Sequence, residues 1–275
     1  MTVSLPALRV VLPEGCTGRD WVSVTNGESG AVVLHSSDAS CYAKWVPARY
    51  ADVLVAERDR TEWLSRQGIS CPRVLGWKAT SKGACLVTSA VPGVPANRVS
   101  ASQLRAAWGS IADALRHLHG LPTQLCPFNR DLCWMLAEAR DVIARGATNT
   151  EWLPEHQRGT PPEALLAHLS PQLEARLAQE AAQSVVCHGD LCLPNILLDP
   201  KECTVSGFID LGRLGRADPY ADIALLLITS REIWVDDRQA QEADELFAAR
   251  YGIVLDAERQ RFYTHLDPLT LQLIR

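Results

Sequence analysis

Apolar and polar residues alternate in short blocks over the first third of the chain. Trp21-Val-Ser-Val and Ala31-Val32-Val33-Leu34-His35 flank the turn residues Asn26-Gly27-Glu28-Ser29-Gly30. A second turn, Ser36-Ser37-Asp38, leads into Cys41-Tyr42-Ala43-Lys44-Trp45-Val46. Apolar runs separated by glycine-bearing polar turns predict antiparallel hairpins. The period then changes. Across residues 50–66, Val53, Leu54, Trp63 and Leu64 share one side of a predicted helix, and Gly68 ends it. Arg73-Val-Leu-Gly-Trp and Ala84-Cys-Leu-Val-Thr return to strand patterning. The run Val91-Pro92-Gly93-Val94-Pro95 breaks the pattern and marks a boundary, giving segments 1–91 and 92–275.

Beyond the boundary the periodicity is mainly helical. Ser100 and Gln103 form a capping-box signal. Leu104, Ala107, Trp108, Ile111, Leu115 and Leu118 then recur at helical spacing and define one buried face. Helices are expected at 130–145, stopped by Gly146, and at 162–182 with an interruption at Pro171. Three short apolar runs, at 184–187, 195–198 and 205–209, predict strands. Helices follow at about 219–234, 238–251 and 256–265. A strand-rich first third and a helix-rich remainder predict an α+β protein with two lobes. The tryptophans at 108, 134 and 234 are expected in the core.

Composition narrows the class only a little. The 275 residues are 47% hydrophobic and 21% charged, as in ordinary globular proteins. The net charge of −5 lacks the basic excess of nucleic-acid binders and mildly favours a cationic partner. Nine cysteines, without a C-x-x-C pair, suit neither a zinc site nor a disulfide framework. No apolar stretch is long enough to span a bilayer, and the amino-terminal residues lack a signal-peptide pattern. A cytoplasmic protein without membrane or nucleic-acid partners, monomeric or a simple homodimer, is expected.

The chemistry concentrates in two segments. His188-Gly189-Asp190-Leu191-Cys192-Leu193-Pro194-Asn195 lies between the apolar pair Val185-Val186 and the apolar run Ile196-Leu197-Leu198. A polar loop pinned between buried strands can hold a carboxylate and an amide with little slack. In Phe208-Ile209-Asp210-Leu211-Gly212, an apolar strand ends in an acid. Asn195 and Asp210 offer hard oxygen ligands suited to Mg²⁺. No G-x-x-x-x-G-K-[ST] is present, which excludes the P-loop class.

The order Asp190…Asn195…Asp210-x-Gly212 matches that of the protein-kinase catalytic loop and metal-binding segment. Its wording, His-Gly-Asp and Ile-Asp-Leu-Gly, resembles the aminoglycoside O-phosphotransferase family. So do Asn26-Gly-Glu-Ser-Gly-Ala31, the run from Ile209 to Ala224, and Phe262-Tyr263-Thr-His-Leu266-Asp267-Pro-Leu269. Glu57-Arg58-Asp59-Arg60, Gly83-Ala-Cys-Leu-Val87 and Cys126-Pro127-Phe128 are similar in wording to the streptomycin 3''-phosphotransferases of that family.

The resemblance implies a protein-kinase-like fold with a small β-rich amino-terminal lobe and a larger, mainly helical carboxy-terminal lobe. It implies ATP and Mg²⁺ as cofactors and a cationic aminoglycoside as acceptor, inactivated by phosphorylation, with antibiotic resistance as the outcome. Asp190 would be the catalytic base, and Asn195 and Asp210 the metal ligands. Lys44 would reach the nucleotide phosphates and pair with Glu57. Ser29 and Gly30 would bring backbone N–H groups over the phosphates, and Ser89 to Val91 would form the adenine-binding hinge. Asp267 would contact the acceptor's cationic groups. Two alternatives stay open at this point: a kinase of another small alcohol (a macrolide, choline or homoserine), or a non-catalytic kinase-like nucleotide-binding protein.

Overall fold

The computed structural model describes residues 12–16, 18–24 and 30–271. The chain divides into two compact units. One runs up to Val91 and also takes in Phe208–Gly212; the other comprises Pro92–Gly207 and Arg213–Gln272. The sequence boundary leaves 208–212 with the second segment. In the structure this stretch joins the first, where the Phe208 N–H donates to the Ser70 carbonyl at 3.0 Å.

Among the described residues, the first unit is a five-stranded antiparallel sheet and one long helix. The strands are β1 (Trp21–Val24), β2 (Val32–Ser36), β3 (Cys41–Pro47), β4 (Val74–Thr80) and β5 (Gly83–Ser89), in the order β1-β2-β3-β5-β4. Helix α1 (Ala51–Arg66) lies between β3 and β4 in the chain. The period of two decides what each face buries. Cys41, Ala43, Cys85 and Val87 pack with Leu12, Cys16, Trp21 and Leu34. Val46, Ala84 and Leu86 pack with Leu54 of α1. Lys44 pairs across the sheet with Leu86, so alternation places it on the face that α1 covers.

The α1 stripe differs from the sequence expectation. Its buried residues are Leu54, Glu57, Thr61 and Leu64, spaced three and four apart. Val53 is exposed instead. Glu57 therefore sits on the buried stripe, although Glu57-Arg58-Asp59-Arg60 reads as a solvated face.

The second unit opens with a two-residue strand, β6 (Val94–Pro95), and helix α2 (Ala101–His119). The Ser100–Gln103 capping box forms, and all six predicted apolar positions of α2 are buried. Helices α3 (Leu132–Ala144), α4 (Pro162–Leu169) and α5 (Leu173–Gln183) follow, with a 3₁₀ turn at Pro171 in place of a continuous helix. Then come β7 (Val185–Cys187), β8 (Ile196–Asp199), β9 (Thr204–Phe208) and β10 (Gly215–Ala217). Helices α6 (Tyr220–Ser230), α7 (Asp237–Tyr251) and α8 (Ala257–Leu266) complete the described chain, with the 3₁₀ turn Asp267–Thr270 after α8. The first of these stops at Ser230, short of the expected 234. The small sheets are β6-β8-β9 and β10-β7.

The boundary run 91–95 is thus more than a break. Val94 and Pro95 pair with Leu198 and Leu197, and Gly93 has φ +122. A Cβ there would stand 2.6 Å from the Leu198 carbonyl oxygen, so the close approach of these strands requires glycine.

One buried acid ties the helices of this unit together. Glu180 on α5 accepts from the Leu132 N–H at the start of α3 and from the Asp218 N–H ahead of α6. Burial pushes its carboxyl up from 4.5 to about 7, against the pull of the Leu132 N–H. A carboxyl raised in the folded state stabilises most when protonated. Its contribution is full below the unfolded value and is lost as pH rises through the folded one. Glu180→Gln keeps a carbonyl acceptor and cannot ionise. The melting temperature of this variant, measured relative to the wild type, is expected to rise as pH goes from about 5 to about 8. A constant difference across that range would show that Glu180 titrates normally.

Candidate active site

In the first unit, the Lys44 ammonium donates to Glu57 Oε2 at 2.8 Å and to Asp210 Oδ1 at 3.0 Å. Three elements meet in this cluster: the alternation of β3 aims Lys44 inward, the α1 stripe supplies Glu57, and the end of β9 supplies Asp210. Burial works against the charge on Lys44, but Asp210 and Glu57 outweigh it and hold the ammonium well above the usual lysine range. Lys44 is therefore a fixed cation beside a half-exposed carboxylate. Asp210 has φ +60, in the left-handed region that aspartate tolerates better than most residues.

In the second unit, the loop after β7 carries Asp190 and Asn195. Asn195 Nδ2 donates to the Asp190 carbonyl at 2.8 Å and to Asp190 Oδ2 at 3.2 Å. The Asn195 amide oxygen is then the end that can face a cation. That oxygen, and in the first unit the Asp210 carboxylate, are each hard donors of the kind Mg²⁺ takes.

The loop itself is held by Asp222, on the first turn of α6. Its Oδ2 accepts the His188 N–H at 2.6 Å and its Oδ1 the Gly189 N–H at 2.8 Å. Gly189 has φ +83, and a Cβ there would lie 2.0 Å from the Arg213 carbonyl oxygen. His188 is buried, and its Nδ1 accepts the Asp190 N–H at 3.2 Å, a loop-fixing contact. Asp218 caps the start of α6 through the Tyr220 N–H and takes the Arg259 guanidinium as a fork.

Other expected residues fall as follows. Gly30 has φ +77, and Ser29 lies outside the described residues. The Ser89 N–H donates to the Arg73 carbonyl and the Ala90 N–H to the Ser40 carbonyl. Among the described residues the Val91 N–H has no backbone partner. Asp267 is buried, and its Oδ1 accepts from Arg130 at 2.9 Å and lies 3.0 Å from Arg213. Burial and the neighbouring Arg213 pull Arg130 down to about 10, with Asp267 opposing them. Both arginines also lie within the field of Asp190. Trp108 and Trp234 are in the core, whereas Trp134 is 38% exposed, with its ring beneath the Arg130 guanidinium.

The model of a family described as the phosphotransferase enzyme family matches residues 20–263. The chain belongs to that family. This phosphotransferase is 61% identical to the streptomycin 3''-kinase of Streptomyces griseus, over 92% of its own chain and 93% of that protein. It is 41% identical to the aminoglycoside 3'-phosphotransferase of Streptomyces fradiae, over 90% of this chain and 94% of that one. Its structure superimposes on aminoglycoside phosphotransferase APH(3'')-Id from Streptomyces rimosus in complex with ADP and streptomycin. The TM-score is 0.91 at 58% identity, covering 98% of this chain and 99% of that one. The kinase-like α+β fold expected from the sequence is therefore the fold of this phosphotransferase, with a strand-rich amino-terminal part and a helical carboxy-terminal part.

Around the Asp190 loop the second unit holds residues that sequence reasoning passed over. Arg130 stands alone between helices, with no periodic neighbour to mark it. Arg213 was visible within the run 209–224 but only as wording. His119, the last residue of α2, bonds Asp222 through Nε2 at 3.1 Å. Its signal was a polar residue on the face already marked by Leu104, Ile111, Leu115 and Leu118.

Proposed function

We propose that this chain transfers the γ-phosphoryl group of ATP to the 3''-hydroxyl of streptomycin, inactivating the drug and conferring resistance. The supporting observation is 61% identity, across 92% of the chain, to a streptomycin 3''-kinase. Likeness to a relative holding ADP and streptomycin adds to it.

Asp190 accepts the proton of the acceptor hydroxyl as its oxygen bonds to phosphorus and the bond to ADP breaks. Asn195 orients that carboxylate, and with Asp210 supplies the oxygen ligands for Mg²⁺, which when bound neutralises charge on the phosphates. Lys44, kept protonated and aimed by Glu57, meets the nucleotide phosphates. Ser29 and Gly30 offer backbone N–H groups to the same phosphates, and the Ser89 to Val91 segment pairs with the adenine edge. Asp267 serves the acceptor side. Its carboxylate already gathers Arg130 and Arg213, so a drug cation reaching it competes with both arginines. We place the enzyme in the cytoplasm, as a monomer or simple homodimer without nucleic-acid or membrane partners. No described helix is long and apolar enough to cross a membrane.

Purified protein with MgATP is expected to convert streptomycin to a monophosphate seen by mass spectrometry, with NMR locating the phosphate on the 3''-oxygen. Unmodified streptomycin would overturn the substrate. Faster ATP consumption with a macrolide, choline or homoserine would move the enzyme to another acceptor class.

A further inference from the structure

The loop brace does not end at Asp222. Both oxygens of this buried carboxylate are acceptors, Oδ1 for Gly189 N–H and Oδ2 for His188 N–H. His119 Nε2 also faces Oδ2, at 3.1 Å. Two lone pairs cannot share a hydrogen bond, so Nε2 must carry the hydrogen. The opposite ring nitrogen, Nδ1, lies 2.6 Å from the hydroxyl of Tyr251. Tyr251 is the last residue of α7. Its ring stacks on Phe247 at 5.5 Å and meets the His119 ring edge-on at 5.7 Å. The hydroxyl is thus presented from a helix end whose ring is packed on two neighbours. Burial pushes the Tyr251 phenol up, away from ionisation, so the group keeps its proton.

We propose that Tyr251 is a positioning residue for the catalytic loop: its hydroxyl holds His119 Nδ1 and so keeps the ring aimed with Nε2–H at Asp222. In a neutral ring the acceptor-only Asp222 carboxylate selects Nε2–H over the tautomer with hydrogen on Nδ1, and the hydroxyl, donating to the bare Nδ1, holds the ring in that pose. The Nδ1–H tautomer would turn a bare Nε2 toward the Asp222 oxygen and push the carboxylate from the His188 and Gly189 amides. In a charged ring the hydroxyl accepts from Nδ1–H, with the same result at Nε2. The chain of contacts runs from Tyr251 through His119 and Asp222 to the amides of the two residues before Asp190. It reaches the loop without touching a reactant.

Cys187 brings its thiol near this cluster, and ligand atoms of His119, Cys187 and Asp222 lie within 4.8 Å of one another. A cation site is the competing reading. The donors are already spent, however: Asp222 accepts from three N–H groups, and the Cys187 thiol donates to the Asp218 carbonyl at 3.3 Å. Burial also raises that thiol well above its ordinary value, which disfavours the thiolate a metal would need. His119 and Asp222 form a hydrogen-bonded brace, and Cys187 stands beside it with its thiol bonded to Asp218.

The inference rests on the assignment of the Asp190 loop to catalysis, and the two can fail separately. The test is a double-mutant cycle on streptomycin phosphorylation with Tyr251→Phe and His119→Gln, each checked by thermal melting. Y251F is expected to lower kcat by about tenfold with both KM values within about twofold, since the group acts on geometry rather than binding. In H119Q, a side-chain amide N–H is expected to serve Asp222 with no imidazole ring for the Tyr251 hydroxyl to orient. Y251F in that background is expected to change kcat by less than about twofold. Wild-type kcat in Y251F, or equal losses in both backgrounds, would overturn the proposal. If H119Q does not fold, the ring-nitrogen resonances of His119 in Y251F decide. A weakened or exchange-broadened Nε2–H signal supports the role, and an unchanged Nε2–H signal removes it. An active Asp190→Ala variant would instead remove the catalytic assignment of the loop, and would leave the ring-nitrogen readout standing.

Discussion

Asp190→Ala is expected to lower kcat about a thousandfold, roughly 4 kcal/mol of transition-state stabilisation, with little change in the KM for MgATP. The loop should survive the change. Asn195 loses its contact to Asp190 Oδ2 but keeps the 2.8 Å bond to the residue 190 carbonyl. Asp222 grips the main chain of His188 and Gly189, which the substitution leaves alone. Single-turnover phosphorylation alongside thermal melting separates lost chemistry from lost fold. Turnover within about tenfold of wild type would take the base role away from Asp190, because a positioned base contributes at least about a hundredfold.

Asp210→Asn should be nearly as damaging, by a different route. Asparagine tolerates φ +60 as well as aspartate does, so this variant removes charge without adding backbone strain. It takes away a carboxylate suited to Mg²⁺ and one of the two anions that hold Lys44. We expect kcat/KM for ATP to fall by about two to three orders of magnitude. A raised Mg²⁺ requirement in the residual activity should accompany the loss. The measurement is rate against Mg²⁺ at fixed ATP. A wild-type Mg²⁺ dependence in D210N would exclude Asp210 as a ligand.

The legible parts of the site were those that obey one local period. Lys44 follows from the alternation of β3, and Asp190 and Asn195 from a polar loop between apolar runs. Asp210 follows from a strand ending in an acid. Glu57 was legible only through resemblance, because its neighbours Arg58, Asp59 and Arg60 disguise a buried position as a charged face. The spacing Leu54, Thr61, Leu64 would have placed Glu57 on the inner stripe had threonine been counted as core. Strands β6 and β10, of two and three residues, are too short for any alternation to show. The pairs His119–Asp222 and Arg130–Asp267 join residues 103 and 137 positions apart, and no local pattern carries such a contact. Trp134 misled for the opposite reason. Its aromatic character suggested the core, but it sits on the outer side of α3, where the stripe is Leu132, Met135, Leu136 and Ala139.

The return of Phe208–Gly212 to the first unit has a consequence for how this protein can be divided. A polypeptide cut after Val91 would contain Lys44 and Glu57 but not the second anion of the cluster. It would also lack the strand end whose Phe208 amide bonds Ser70. The unit is stitched from two stretches of the gene. Exchange of amino-terminal halves between relatives therefore leaves each hybrid with a Lys44 from one parent and an Asp210 from the other. Recombinants that keep both partners need two crossovers around residues 208–212 in addition to the one at 91, so this salt-bridged triad is inherited as a distributed part rather than as a module.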